Sequence, residues 1–209
     1  NKYMLRTRQQ AISQVMELFN QTAIEVCEGQ QYDMDYEHQA NVSIADYIEM
    51  IRLKTAVLLA ASLKTGAIIA GAEAADCNYI YQFGIHIGLA FQLKDDLLDV
   101  YGVQEKFGKV SGGDIVAGKK TYLYLKVLET AGSEADAFRR LYAAHDLEST
   151  EKIARVKEVF NRLNIETQTR QLINDYYQKA LRDLSAISLP EEAMESLTEY
   201  AAGLMEREN

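Results

Sequence analysis

The sequence reads FQLKDDLLDVYG from residue 91 to residue 102, and this stretch predicts a helix. Apolar residues recur at helical spacing, and neither glycine nor proline interrupts the pattern before its last residue. Gln92, Asp95, Asp96 and Asp99 stand at positions i, i+3, i+4 and i+7, so they share one face of the helix. The stretch therefore places an amide and three carboxylates side by side.

The residues just before this stretch, 79–90, are almost wholly apolar (YIYQFGIHIGLA), which predicts that the helix lies deep in the protein. Carboxylates that lose their hydration are costly to keep charged unless cations neutralise them. A ligand set of oxygens without His or Cys suits Mg²⁺, which proteins usually hold through one or two carboxylates, waters and substrate phosphates. The sequence favours such a metal site over the alternative, an acidic face exposed to solvent.

A loop rich in lysine and glycine follows the acidic helix, with the sequence KFGKVSGGDIVAGKK at residues 106–120. Because the two segments are adjacent along the chain, we expect them to lie close together. Lysines and exposed glycine amides bind phosphate oxygens, so the loop predicts a lid over a phosphorylated ligand, with a solvated surface loop as the alternative. The GxxxxGK[ST] spacing of a P-loop is absent from it.

The composition is that of a soluble helical protein: 48% of the 209 residues are hydrophobic, and proline occurs once. The sequence has no strand pattern and no internal repeat, so we expect one all-α domain over residues 1–209, a bundle of long helices. The net charge of −9 argues against nucleic acid as a partner. Cys27 and Cys77 predict reduced core thiols, and no signal peptide is visible, which together indicate a cytoplasmic protein.

Capping signals and apolar periodicity divide the chain into helices. Gly29 is expected to end a first helix that begins near residue 7, with a polar segment at 29–37 after it. Ser43 is expected to cap a helix that runs to Lys54, and Asp76 to cap the central helix, which ends near residue 103. After the loop, helices are expected near residues 121–130, 134–145, 150–163, 166–184 and 191–206.

The apolar run at residues 55–75 is long enough to raise the question of a membrane span. Lys64 near its middle and Glu73 near its end favour a buried core helix instead, whose small residues are typical of close helix packing, so no stable membrane insertion is expected. Lys54 and Lys64 each precede a threonine, and each ammonium would need an anion nearby. The sequence pattern alone does not distinguish the two lysines.

Four ordered motifs carry a resemblance to a known family. FQLKDDLLDVYG, followed by FGK, GGD and GKKTY, resembles the second aspartate-rich motif (FQxxDDxxD) of the trans-type isoprenyl diphosphate synthases. Upstream, GQQYDMDYE resembles the family's GQ..D...E segment, and Lys54-Thr55 resembles its Lys-Thr pair. The resemblance covers residues 28–122 and implies the all-α, isoprenoid synthase-type bundle of antiparallel helices around a central cavity.

The resemblance also implies roles for individual residues. Three aspartates are expected to bind Mg²⁺, which holds the diphosphate of an allylic substrate: Asp95, Asp96 and Asp99. Three lysines are expected to contact that diphosphate: Lys54, Lys109 and Lys119. The remaining implied residues are Thr55 and Gln92 near the diphosphate and the reacting carbons, Asp114 in support of the metal or of loop closure, and Gln30 and Asp33 along the cavity.

The implied reaction is the condensation of an allylic diphosphate with isopentenyl diphosphate into a longer trans-polyprenyl diphosphate, by a homodimeric enzyme. A non-catalytic helical subunit of a heteromeric synthase and a terpene cyclase of the same fold are the alternatives. The sequence departs from the family in one respect, since the first aspartate-rich motif is absent. We therefore expect a C-terminal part of a larger synthase domain, or a subunit, that binds diphosphate weakly and does not turn over alone.

Overall fold

The computed structural model describes residues 9–102, 112–144 and 146–206. These residues form helices and no strand, which confirms the all-α class predicted from the sequence. The first half contains α1 (Gln9–His38), α2 (Ile44–Ile51), a π-helical turn (Arg52–Ala56), α3 (Val57–Ala70) and α4 (Ala74–Tyr101). The second half contains α5 (Gly113–Ala117), α6 (Tyr122–Thr130), a 3₁₀ turn (Gly132–Glu134), α7 (Ala135–Tyr142), α8 (Ser149–Arg162), α9 (Ile165–Ser185) and α10 (Glu191–Glu206).

Helix α4 is the central element, with α3 against one side and α9 along another. Gly84 and Gly88 of α4 face Ala60 and Ala56 across the α3 side, so closely that a Cβ on Gly88 would lie 2.7 Å from the Ala56 Cα. Small residues therefore permit the close packing predicted for this region. The glycines that allow it are on α4, whereas Gly66 of α3 has no heavy atom of another segment within 4 Å of its missing Cβ.

Helix α1 is longer than the sequence predicted. Gly29 does not end it, and the polar segment 29–37 continues the helix to His38. Gly29 is instead required for close packing, because a Cβ there would lie 2.8 Å from the backbone carbon of Leu53. Gly29 thus lets α1 cross the π-helical turn at short distance, a reason that depends on a partner distant in sequence.

Two predicted capping residues have opposite outcomes. Ser43 caps α2 as predicted, since its Oγ accepts the backbone N–H of Asp46 at 3.1 Å while Asp46 Oδ2 accepts the N–H of Ser43 at 2.9 Å. Asp76 does not cap α4, whose N-cap is Glu73. Asp76 Oδ1 instead accepts the backbone N–H of Ser188 at 3.3 Å, which ties the start of α4 to the connection between α9 and α10.

The predicted helix break at Lys54 is a π-helical turn between α2 and α3, so the helical path continues through it. Helix α3 then ends at Ala70, where Gly71 adopts φ = 82°. The segment Ile44–Ala70 is long and apolar enough to cross a membrane, and 28% of its most apolar window is buried. The prediction of a buried core helix is therefore met on one face only, because the face that includes Leu58 and Ile69 is exposed.

Helices after the loop lie close to their predicted positions, and α10 has the predicted limits. Lys94, which the helical pattern turns away from the aspartates, donates a hydrogen bond to the carbonyl of Met205 near the end of α10. Of the two free cysteines, Cys77 is buried as predicted. Cys27 is exposed on α1, so the prediction that it belongs to the core is wrong.

Candidate functional site

A cavity of about 250 Å³ opens where the second half of α1 meets α2, the π-helical turn, α4 and the segment around α5. Of the sequence-predicted site residues that the structure describes, all line it except Gln30. Gln30 is exposed on α1, one turn before Asp33, which does line the cavity. Lys109 lies outside the described residues.

Asp95, Asp96 and Asp99 form an acidic stripe on α4, and this stripe lines the cavity. Asp96 is only 5% exposed, and both its carboxylate oxygens are hydrogen-bonded: Tyr47 donates its hydroxyl to Oδ2, and Gln92 Nε2 donates to Oδ1 at 3.2 Å. Burial raises the pKa of Asp96 to about 7, against the lowering effect of these two hydrogen bonds. A carboxylate that burial makes harder to ionise gains most from a cation beside it.

The other two aspartates of the stripe differ from Asp96 in burial. Asp95 is exposed at the mouth of the cavity. Asp99 is partly buried, and burial raises its pKa. Its Oδ2 accepts the backbone N–H of Asp114 at 3.0 Å, and its carbonyl accepts the N–H of Gly112 at 2.6 Å. These bonds hold α5 against the acidic end of α4, so the two segments lie close together as predicted.

A chain of hydrogen bonds continues from Asp96 to the π-helical turn. Gln92 accepts the hydroxyl proton of Thr55 on Oε1 at 3.1 Å, while its amide nitrogen donates to Asp96. The next residue back, Lys54, donates from Nζ to Asp33 Oδ2 of α1 at 2.5 Å. The π-helical turn thus presents an ammonium and a hydroxyl to one cavity from consecutive residues, which is a use typical of such turns.

A second lysine, Lys119, lines the cavity from the segment that follows α5. Lys119 Nζ lies 2.6 Å from Asp114 Oδ1, and this hydrogen bond raises the pKa of Lys119. Tyr142 of α7 donates its hydroxyl to the carbonyl of Lys119 at 2.7 Å, which fixes the backbone there. Gly112 and Gly118 flank α5 with φ of 89° and 70°, conformations that glycine adopts without strain.

Sequence reasoning missed several residues of the cavity, and Tyr47 is the most consequential. Its hydroxyl is the donor to the buried carboxylate, yet its partner lies 49 residues away. A tyrosine on an apolar helix face gives no local signal of such a role. Tyr36, Glu37 and Lys120 also line the cavity. Glu37 lies in the quoted GQQYDMDYE segment and Lys120 in the loop predicted as a lid, yet neither was assigned a role of its own.

The charges around the cavity favour cations. Six carboxylate side chains and three lysines line it, so negative charge is in excess. A diphosphate would be repelled here unless cations accompanied it. Within the described ranges no three His, Cys, Asp or Glu side chains form a preassembled metal cluster. The oxygen donors nevertheless fit Mg²⁺, since that ion needs only one or two carboxylates when waters and phosphate oxygens complete its shell.

Comparison with known proteins gives a family match over most of the chain. The family model described as polyprenyl synthetase matches residues 2–163. The short chain isoprenyl diphosphate synthase of Methanothermobacter thermautotrophicus is 36% identical over 188 residues, which are 90% of this chain and 57% of that protein. The chain thus spans little more than half the length of this curated relative.

Two solved structures extend the comparison. The crystal structure of a geranylgeranyl pyrophosphate synthase has a TM-score of 0.93 at 40% identity, over 100% of this chain and 65% of that one. The second is geranylgeranyl pyrophosphate synthase from Corynebacterium glutamicum, complexed with isoprenyl diphosphate and magnesium. It has a TM-score of 0.87 at 30% identity, over 96% of this chain and 57% of that one. The described helices share the fold of these proteins, which confirms the type of bundle predicted from the sequence.

Proposed function

Because the chain belongs to the polyprenyl synthetase family, we propose that it supplies the diphosphate-activating part of a Mg²⁺-dependent prenyltransferase of isoprenoid biosynthesis. The reaction is the condensation of an allylic diphosphate with isopentenyl diphosphate into a longer trans-polyprenyl diphosphate. One observation carries the proposal. A buried aspartate held by two hydrogen bonds shares a cavity with two lysines that come from different segments of the chain.

The acidic stripe is the part of the cavity that suits the metal. Asp95, Asp96 and Asp99 would hold Mg²⁺, which when bound supplies Lewis-acid stabilisation of the charge that grows on the leaving diphosphate. The hydrogen bonds from Tyr47 and Gln92 keep the Asp96 carboxylate in one orientation. This preorganisation avoids reorganising the site when the substrate ionises.

The lysines would bind the diphosphate oxygens. Lys54 and Lys119 are each held by a carboxylate partner, Asp33 and Asp114, so both ammonium groups are already in the cavity before an anion arrives. Lys109, which lies outside the described residues, is proposed as a third contact. Charge-assisted hydrogen bonds of this type are among the stronger polar interactions in proteins.

The residues next to the lysine site would face the reacting carbons. The hydroxyl proton of Thr55 points to Gln92, so the oxygen of Thr55 can offer its lone pairs to a developing allylic cation. Met50 and Ile51 form an apolar part of the wall, which helps to exclude water that would trap the cation. The double bond of isopentenyl diphosphate then attacks the cation, and the proton lost afterwards passes to the released diphosphate.

We further propose a homodimer in the cytoplasm, without nucleic acid as a partner and without stable membrane insertion. Large apolar side chains are exposed on two adjacent helices, with Phe19 on α1 and Leu58 and Ile69 on α3. Such a surface is typical of a protein interface. The net charge of −9 disfavours nucleic acid.

Titration of the 209-residue chain with inorganic pyrophosphate tests the proposed function. We expect binding when Mg²⁺ is present and none after EDTA removes it, because the excess of carboxylates repels a free anion. We expect no elongation of an allylic diphosphate, because the sequence lacks the first aspartate-rich motif. Isothermal calorimetry gives the affinity and chromatography the products. A chain that does not bind magnesium pyrophosphate contradicts the proposed function, and a chain that elongates substrate contradicts the expected dependence on the first motif.

Replacing Tyr47 with phenylalanine removes the hydroxyl that donates to Asp96 and keeps the buried ring. Partners that orient a metal ligand typically contribute about 10- to 100-fold to metal affinity, so we expect magnesium pyrophosphate to bind about tenfold more weakly. Tyr200→Phe removes an exposed hydroxyl on α10 and serves as the matched control. Equal affinities of the two variants in the calorimeter would show that Asp96 does not need this hydrogen bond.

A further inference from the structure

Lys120 joins the last turn of α1 to the segment that follows α5. Its Nζ lies 2.6 Å from the carbonyl oxygen of Tyr36, 3.0 Å from that of Glu37 and 2.8 Å from that of Gln39. The final carbonyls of a helix have no partners within the helix, and they carry its partial negative charge. Lys120 therefore caps the carboxyl end of α1 with a full positive charge.

The three hydrogen bonds of Lys120 indicate that its ammonium does not contact a ligand directly. A lysine ammonium can donate three hydrogen bonds and accept none. Here it donates all three to backbone carbonyls, two in α1 and one just after it. Although Lys120 lines the cavity, its hydrogens are thus directed to the backbone and not to a ligand. Lys119, the residue before it, differs because its ammonium pairs with the side chain of Asp114 inside the cavity.

Lys120 links the two walls from which the phosphate-binding lysines approach. On one wall, Asp33 of α1 lies one turn before Tyr36 and holds Lys54. On the other wall, Lys119 is bonded through its carbonyl to Tyr142. The bonds from Lys120 to the end of α1 therefore connect the segment that carries Lys119 to the helix that carries Asp33.

The same contact changes the field in the cavity. The end of α1 borders the cavity through Tyr36 and Glu37, so its partial negative charge acts on any anion bound there. Carboxylates already outnumber lysines around the site. A cation placed directly on the helix end offsets this charge without occupying the space of the ligand.

We propose that Lys120 is a positioning residue for diphosphate binding. Its ammonium connects α1 to residues 119–121 and neutralises the charge at the helix end. The distance between the Lys54 and Lys119 ammonium groups is thereby kept at a value that suits one diphosphate. The inference rests on the proposed function and extends it to a residue that touches backbone and not substrate.

The test compares four variants with the parent chain by calorimetry with magnesium pyrophosphate: Lys120→Met, Lys120→Arg, Lys94→Met and, as the reference for a direct phosphate contact, Lys54→Met. Lys120→Met should weaken binding about fivefold, in keeping with the loss of a helix-end charge interaction and of alignment between the walls. Lys120→Arg should restore most of the affinity, since a guanidinium also donates several hydrogen bonds and keeps the charge. Lys94→Met is the matched control and should bind like the parent chain, because Lys94 donates to the carbonyl of Met205 near the end of α10 and does not line the cavity.

Hydrogen exchange gives an independent readout. Amides of residues 36–39 and 119–125 should exchange faster in Lys120→Met and as slowly as in the parent chain in Lys120→Arg. Faster exchange together with unchanged pyrophosphate affinity would leave only a structural role and overturn the proposal. A loss as large as that of Lys54→Met would assign a direct phosphate contact and also overturn it.

These outcomes separate the inference from the function on which it rests. If the parent chain binds no magnesium pyrophosphate, the proposed function fails, and the inference fails with it. If the parent chain and Lys120→Met bind equally well, the proposed function stands and only the inference fails.

Discussion

Replacing Asp96 with alanine is expected to lower the affinity for magnesium pyrophosphate by a factor of about 10³, the largest effect of any single substitution in the cavity. Stabilisation by a bound metal ion amounts to several kcal/mol, and each 1.4 kcal/mol corresponds to a factor of about ten. Among the three aspartates of the stripe, Asp96 is the buried one, and both its carboxylate oxygens accept hydrogen bonds. A more exposed aspartate therefore cannot replace it as a metal ligand. In a longer protein that contains this chain, elongation should fall with the affinity.

Two controls separate the ligand effect from a folding effect. The alanine variant leaves the buried hydroxyl of Tyr47 without its acceptor, which costs about 1–3 kcal/mol of folding stability. Asp96→Asn keeps the shape and one carbonyl acceptor for Tyr47 while removing the charge, so it should be more stable than Asp96→Ala and still bind poorly. Asp175→Asn removes one charge from an exposed position on α9 and should bind normally. Full elongation activity of Asp96→Ala in a longer protein that contains this chain would favour a non-catalytic subunit.

The acidic stripe could be predicted from the sequence because its information is local. The spacing of Gln92, Asp95, Asp96 and Asp99 places them on one side of any helix, whatever surrounds it. The depth of that helix was also predictable, since the apolar residues 79–90 precede it. What the spacing did not reveal is that the three aspartates differ in burial, because their burial depends on helices that approach from elsewhere in the chain.

Lys54 and Lys64 illustrate the limit of local patterns. Both precede a threonine in an apolar region, and the pattern alone left them equivalent. In the structure Lys54 pairs with Asp33 in the cavity, whereas Lys64 donates to Asn78 at 3.2 Å and lies over the ring of Tyr81. Ten residues are not a whole number of helical turns, so the two lysines point to different sides of the helix.

Gly29 was misread for a related reason. Glycine is a common signal for the end of a helix, and a polar segment follows it, so the local evidence for termination was strong. The segment is helical because α1 crosses the π-helical turn at Gly29, where only a residue without a side chain fits. This crossing places Asp33 beside Lys54, and it could be recognised only with both segments in view.

Replacing Gly84 with alanine is expected to destabilise the fold by about 2–3 kcal/mol, the upper range for overpacking of a close-packed core. A Cβ at Gly84 would lie 2.9 Å from the backbone nitrogen of Ala60 and closer still to its Cα. Backbone atoms cannot rotate away as a flexible side chain does, so α3 and α4 would have to separate. Gly66→Ala is the matched control, since nothing lies within 4 Å of the new methyl group. That substitution should stabilise the chain by about 0.5–1 kcal/mol, because alanine favours a helix over glycine.

Gly84→Ala should also weaken binding in the cavity. The contact between α3 and α4 continues from Gly84 and Ala60 to Gly88 and Ala56, and Ala56 follows Thr55 directly. Separating the helices at Gly84 therefore lengthens the 3.1 Å bond between Thr55 and Gln92 and loosens the amide that holds Asp96. Urea denaturation gives the free energy of unfolding, and calorimetry at a temperature where both variants are folded gives the affinity for magnesium pyrophosphate. Gly84→Ala should bind more weakly than Gly66→Ala even then, and equal affinities would mean that the packing of α3 on α4 does not set the geometry of the acidic stripe.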